Sequence, residues 1–453
     1  MQIATDAAAL WADARPQVTR DFQHDADVHS KFWTKGYELL AALPEKPKRN
    51  PEQARAAETI LHAGRETRED FMLRHAESVY AALTGKLTQF VRAEPLVYAA
   101  ADLVSGLVPT RRQVAAESEK TQSAKDGIEI DQGIFFANIL ARPDSGTHFC
   151  HAMLLPKDEA VARLPEFRAK GAIDFGTAAI ERRGKASYVL LKNPRFLNAE
   201  DDATLHNVET AVDLALLDPV TEIAVLRGDV VDNPKYAGKR LFCTGINLTH
   251  LYRGMIPYLW YVTREMGFVN KFLRGHAVED RSPDETAGST REKPWVAGVE
   301  GFAIGGGCQY LLTMDYVVAA SDAYMTLPAR KEGIIPGAAN MRLPRFVGDR
   351  IARQAIMYGR RLDCDSPEGR MICDEVVPPD QMEQTLQRVV DDYTGSGVVS
   401  AASNRRAFRV GEEPLDMFRR YMAVYCREQA YCHFSPALIA NLEKHWNAAQ
   451  RKI

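Results

Sequence analysis

Three successive glycines, Gly305, Gly306 and Gly307, close an apolar run in the stretch Trp295-Val-Ala-Gly-Val-Glu-Gly-Phe-Ala-Ile-Gly-Gly-Gly-Cys-Gln309. The apolar residues predict a buried strand, and a helix is expected to begin near Gly306. Without side chains, the glycines leave backbone N–H groups uncovered at the positive end of that helix. Donors placed in this way bind developing negative charge. A tight strand-to-helix turn would use the same residues. A dinucleotide fingerprint fits poorly, because the third glycine of G-x-G-x-x-G is Tyr310 here. Upstream, Thr221-Glu-Ile-Ala-Val-Leu-Arg-Gly-Asp229 predicts a second buried strand, followed by the loop Phe242-Cys-Thr-Gly-Ile-Asn-Leu248.

Further pieces lie at Asn193-Pro-Arg-Phe-Leu-Asn-Ala-Glu200, Gly333-Ile-Ile-Pro-Gly-Ala338 and Tyr358-Gly-Arg-Arg-Leu-Asp363 through Asp374-Glu-Val-Val-Pro378. In this order and spacing, over about residues 185–380, the chain resembles the crotonase (enoyl-CoA hydratase/isomerase) superfamily. The resemblance implies that the backbone N–H groups of Ile246 and Gly306 form an oxyanion hole for the thioester oxygen of a CoA substrate, with Gly307 beside it. Hydratases of the superfamily also carry two glutamates, one just after G-G-G-C and one before the L-G-x-x-P-G turn. Here those places hold Gln309 and Ala329. An amide exchanges no proton at neutral pH and a methyl group none at all, so water addition cannot run in the usual way.

An oxyanion hole kept without its acid/base pair implies either an unusually acidic substrate or a binding protein. A benzylic α-carbon supplies that acidity, and the enolate of an arylacetyl thioester is electron-rich enough to meet dioxygen directly. What the resemblance implies is the activity of a crotonase-type dioxygenase, with an arylacetyl-CoA and O2 as substrates and no metal, flavin or other cofactor. By the same resemblance, Leu248, Ala329 and Ile334 would line an apolar oxygen pocket. Glu200, Arg264 and Gln309 would grip ring hydroxyls, and Arg195 would meet a CoA phosphate. Plain core packing or surface ion pairing accounts equally for several of these residues. A CoA thioester hydrolase or decarboxylase, or a non-catalytic binder of CoA esters, are the rival readings. The eleven histidines are scattered; His24–His29 and His148-Phe-Cys-His151, their closest clusters, fall outside the crotonase-like stretch.

These residues need a scaffold larger than one simple core. At 453 residues, two or three domains are expected. The expected fold class is α/β: a crotonase-like spiral of ββα units at 184–380, preceded by a mostly helical domain at 1–183 and followed by C-terminal helices at 381–453. In the N-terminal part, Pro51 to Leu83 has helical spacing, whereas Gly133–Leu140 and His148–Leu155 are strand candidates. A helix is expected over about 201–218, from Leu205, Val208, Val212 and Leu216. Residues 277–293 are polar and aperiodic, which predicts an exposed, mobile insertion. Helices are expected again at Gln381–Tyr393 and Leu415–His445. A net charge of −3 gives no basic footprint for nucleic acid or membrane. No run reaches the ~18 apolar residues of a membrane span. Seven unspaced cysteines and an N-terminus broken by Asp6 predict free thiols in the cytoplasm. The resemblance implies a homo-trimer or homo-hexamer.

Overall fold

A computed structural model describes residues 2–396 and 398–451. Its centre is a seven-stranded sheet. In spatial order the strands are Ala172–Asp174, Ala178–Arg183, Ala186–Leu191, Ile223–Gly228, Trp295–Val299, Tyr316–Ala320 and Glu375–Val377. The first two junctions are antiparallel and the rest parallel, and the register sets Val225 beside Val296 and Ala297 beside Val317. Strands buried on both faces read as continuous apolar runs, and Ile223–Gly228 and Trp295–Val299 are buried at every position. A three-stranded sheet, Leu362–Asp363, Tyr324–Thr326 and Phe302–Ile304, lies alongside. The predicted helix forms at Asp202–Leu217, with Asp201 as its N-cap and a reciprocal Thr204 contact.

The sheet starts earlier than the expected boundary at 184, because Ala172–Asp174 and Ala178–Arg183 hydrogen-bond onto Ala186–Leu191 through their own pairing. Ahead of them the chain is helical, including a single helix at Pro51–Leu83. The two strand candidates are both helices, Ile130–Ala141 and Pro143–Leu154. At the other end, Leu415–His433 and Pro436–Trp446 are separate helices, broken at Phe434-Ser435.

The helical parts do not form lobes apart from one another. One apolar core takes Phe71, Phe135 and Phe136 from the N-terminal half, Tyr258 and Val262 from the middle, and Phe418, Met422 and Cys426 from the C-terminal helices. Helix Ile130–Ala141 meets Leu415–His433 so closely that a Cβ on Gly133 would stand 2.5 Å from Ala430 Cβ. Buried charges tie this layer to the sheet layer. Glu209 pairs with Arg92 at 2.5 Å and with Lys271 at 2.8 Å, and Lys271 also reaches Asp213 at 2.6 Å.

Residues 277–293 are pinned rather than loose. The strands His276–Ala277 and Thr290–Arg291 pair with each other. Glu285 accepts from Arg409 Nε at 2.9 Å and from the Leu415 backbone N–H at 2.9 Å, and Glu292 takes a bidentate grip from Arg409. Glu285 and Glu292 thus hold the C-terminal helices down, while Glu279, Asp280 and Asp284, between the first strand and Glu285, are exposed as the sequence predicts.

Candidate active site

The two glycine-bearing loops lie against each other. Gly245 has φ +73°, and a Cβ on it would fall 2.7 Å from Ile304 O and 2.8 Å from Gly306 N, so no other residue fits there. Glu200 joins the pair by a parallel bridge to Ile246: its N–H donates to Gly245 O at 2.8 Å, and its carbonyl accepts from Asn247 N at 2.7 Å. That bridge uses Gly245 C=O and Asn247 N–H, Gly245 N–H goes to Cys243 Sγ at 3.2 Å, and among the described residues Ile246 N–H is left without a backbone acceptor. Gly306 opens the helix Gly306–Leu311, so its N–H likewise has no partner within that helix. Both residues line one cavity, so two uncommitted donors from facing loops can stabilise a developing oxyanion.

The same cavity is lined by Glu200, Arg264, Gln309, Ala329 and Ile334, all of them singled out in the sequence. Three of the expected residues stand elsewhere. Leu248 begins the short helix Leu248–Tyr252 and packs at the edge of the helical core. Gly307 packs on Cys243, and a Cβ there would lie 2.7 Å from Cys243 O. Arg195 is exposed in the turn Pro194–Phe196, its guanidinium 5.3 Å from the Phe196 ring centroid.

Arg264 organises the polar side. Its Nε and Nη2 hold Glu200 Oε1 and Oε2 at 2.6 and 3.0 Å, a fork-to-fork pair. Nη1 donates to Gln309 Oε1 at 2.7 Å and to Glu265, and Nη2 also reaches Gly306 O at 3.3 Å. Burial alone would lower the guanidinium's pKa, but Glu200, Tyr310 and Glu265 hold it well above its ordinary range. The Tyr310 hydroxyl donates to Glu200, and burial together with that carboxylate pushes the phenol far up. The donor from Arg264 fixes the Gln309 amide: Oε1 faces the arginine, and the two Nε2 hydrogens are left for the cavity.

Local structure enforces this arrangement. Leu197 and Asn198 both take φ +56°, a costly conformation outside glycine, immediately before Glu200. The Asn198 side chain holds it, donating to Asp229 O and Leu241 O at 2.8 and 2.7 Å and accepting from Asn193 N at 2.9 Å. Asp201 then clasps the neighbouring loop through Asn247 at 3.1 Å and His250 at 3.0 Å. Arg264 and Glu265 sit where the helix Leu259–Arg264 opens into a wide π-turn at Glu265–Val269, a distortion common at functional sites.

Sequence reasoning missed Glu265, Tyr310 and Glu332 in this neighbourhood. Glu265 follows Arg264 directly, and only the π-turn brings both inward. Tyr310 carried only its position as a signal, directly after Gln309 at the predicted helix start. The apolar lining is Leu327, Ala329, Ile334, Ile335 and Pro336, with Trp260 and Tyr425. Among the described residues, no three His, Cys, Asp or Glu side chains gather as a metal-ligand set.

The chain belongs to the enoyl-CoA hydratase/isomerase family, whose model matches residues 181–409. Within it, the (3,5-dihydroxyphenyl)acetyl-CoA 1,2-dioxygenase of Amycolatopsis orientalis is 47% identical over 398 residues, 87% of this chain and 89% of that one. A match of that length is too long for residues 181–453 and extends into the N-terminal helices. The short-chain-enoyl-CoA hydratase of Clostridium acetobutylicum is 25% identical over 53% of this chain and 83% of its own. A solved enoyl-CoA hydratase/isomerase from Xanthobacter autotrophicus is 20% identical, with a TM-score of 0.49, over 61% of this chain and 96% of that one.

Proposed function

We propose that this protein is a dioxygenase that converts (3,5-dihydroxyphenyl)acetyl-CoA and O2 to (3,5-dihydroxyphenyl)glyoxylate and CoA, without metal or flavin. The observation that carries this reading is a pair of uncommitted N–H groups, on Ile246 and Gly306, facing a cavity whose hydratase glutamate places hold Gln309 and Ala329. The 47% identity to the Amycolatopsis orientalis dioxygenase supports the particular substrate.

The thioester oxygen accepts from Ile246 and Gly306 N–H, which lowers the barrier to losing an α-proton by about 3–4 kcal/mol per donor. The aryl ring shares the carbanion charge. Its hydroxyls meet the Gln309 amide donors and the one lone pair of Glu200 Oε2 that Arg264 and Tyr310 leave open. The enolate then reduces O2 beside the apolar wall of Ala329 and Ile334, giving a peroxide at the α-carbon. That peroxide closes onto the thioester carbonyl and expels CoA thiolate. Loss of the second α-hydrogen as the O–O bond breaks yields the ketone and the carboxylate. Both oxygen atoms of O2 end in the product, and both α-hydrogens leave, one to the thiolate and one to solvent. Arg195, on the loop leading to Glu200, is assigned to a CoA phosphate.

Protein treated with chelator and given the substrate should take up O2 and release thiol in equal amounts. Thiol release with no oxygen uptake would instead establish a hydrolase, the second reading that an oxyanion hole alone permits. The seven cysteines are all free thiols, in keeping with a cytoplasmic enzyme. A homo-trimer or homo-hexamer is part of the same proposal, and sedimentation of the intact protein measures it.

A further inference from the structure

Three carboxyl groups line the cavity, and two of them are committed. Glu200 is held by Arg264 and Tyr310, while Glu265 is held by Arg264 and by the Ala338 backbone N–H at 3.3 Å. The third, Glu332, ends the helix Ala329–Glu332, is 4% exposed, and opens on the same space. Among the described residues no hydrogen bond or ion pair reaches its carboxyl group. An unpartnered buried carboxyl costs several kcal/mol when ionised, roughly, and persists only where something else calls for it. Its place is suggestive too. Ala329, in the family's vacated glutamate position, lies three residues earlier on the same helix, and such residues share a face.

We propose that Glu332 is the base that takes the α-proton from the bound thioester. The proposal rests on the dioxygenase reading and supplies the step that Gln309 and Ala329 cannot perform. The C–H electron pair passes into the enolate, whose negative charge rests on the oxygen held by Ile246 and Gly306 N–H, and Glu332 becomes a neutral carboxylic acid. When the peroxide expels CoA thiolate, that proton leaves with the thiolate as the free thiol. The carboxylate is then restored to take the second α-hydrogen as the O–O bond breaks.

The surroundings suit a base. Burial, unopposed by any donor, pushes the Glu332 carboxyl up to about 7, where a base is half ionised at working pH and still strong enough to pull. The titratable groups that share the cavity with it are Tyr261 and Arg264 from one helix, Glu265 from the following turn, Tyr425 from the C-terminal helix and Glu200. Tyr261 is kept neutral by burial and by Glu332 itself, and the Arg264 charge is already spent on Glu200 and Glu265. On its own helix, Arg330 turns away to Met357 O and Lys331 lies beside Gly359.

The test compares Glu332→Gln and Glu332→Asp with the wild type in oxygen uptake from pH 5.5 to 9 (a range of about two units either side of the working pH), and in anaerobic exchange of the α-hydrogens with D2O. In Glu332→Gln, turnover should fall by about 10²–10⁴, the scale of general-base catalysis, with loss of the limb of kcat/KM that rises near neutral pH. Binding of an unreactive thioether analogue should stay within about threefold, and Glu332→Asp should recover part of the rate. Where the wild type exchanges α-hydrogen anaerobically, Glu332→Gln should lose that exchange as well. Turnover of Glu332→Gln within about threefold of wild type, or an unchanged rising limb, would overturn the assignment. Wild-type protein that exchanges α-hydrogen but consumes no O2 would overturn the dioxygenase reading and leave the base in place, so the two failures are distinguishable.

Discussion

A methyl group on Gly306 would drive into the Glu200 carboxylate and stand 2.7 Å from Arg264 Nη2. Gly306→Ala should therefore displace the ion pair that shapes the polar wall, even though it keeps the backbone N–H. We expect turnover to fall at least about 100-fold while the far-ultraviolet circular dichroism stays that of the folded chain. Arg264→Ala is predicted to act differently, because it strands Glu200 and Glu265 as buried charges. It should cost about 3–5 kcal/mol of stability in denaturant unfolding as well as activity. Arg264→Lys should not rescue it, since an ammonium cannot reproduce the fork on Glu200. The residues facing the cavity were legible where the chemistry demanded them: Gln309 and Ala329 stood out by what they replaced, and Glu200 and Arg264 by charge near the loops. What the sequence could not reveal is that Glu200 and Arg264 grip each other, which follows from burial that no local pattern encodes.

At the scale of elements, the site depends on how tightly helices approach it. Tyr425 reaches the cavity from the helix Leu415–His433, and that helix is seated on Gly133, where a Cβ would lie 2.5 Å from Ala430 and 2.9 Å from Cys426 O. Gly133→Ala should shift that contact and destabilise the fold by about 1–3 kcal/mol, read as a lower denaturation midpoint with an unchanged slope. The segment around Gly133 also shows why part of the fold was misread. Every residue from Ile130 to Leu140 is buried, so the helix has no solvent-facing side, and Gly133–Leu140, apolar but for Asn138, has no 3.6 period to distinguish it from a strand. The same ambiguity affects Ser145–Leu154, which is buried throughout apart from Thr147. By contrast, Asp202–Leu217 has one capped end and a partly polar face, and its bounds were read to within a residue or so.

Across the whole molecule, the N-terminal helices, the helices before the π-turn and the C-terminal helices share one core, so removing residues 1–170 should leave the rest insoluble rather than as a free catalytic domain. The N-terminal helices thus seat the helix Leu415–His433, which carries Tyr425 to the cavity, a role their own sequence does not announce. His433 sits at this junction, its Nδ1 3.3 Å from the Tyr261 hydroxyl and its carbonyl accepting from Gln122 Nε2 at 2.7 Å. Burial, with Lys125 nearby, pushes its pKa down to about 3, well below the ordinary value of 6.5. The folded protein therefore refuses a proton that the unfolded chain accepts. The contribution is fully present above pH 6.5 and is lost as pH falls toward about 3, at about 1.4 kcal/mol per pH unit per proton. His433→Gln should flatten that slope by close to one proton, which unfolding measured across pH 4–6.5 would record (a span of roughly two units inside that window).

The central claim is that the enolate, held by two backbone N–H groups, meets O2 directly. Chelator-treated protein should be supplied with (3,5-dihydroxyphenyl)acetyl-CoA under ¹⁸O2, and the product quenched at once and weighed by mass spectrometry. We predict an arylglyoxylate carrying two ¹⁸O atoms, one in the ketone and one in the carboxylate, with one CoA released for each. A product without ¹⁸O beside released CoA, or activity that disappears with the chelator and returns with a metal, would contradict the account.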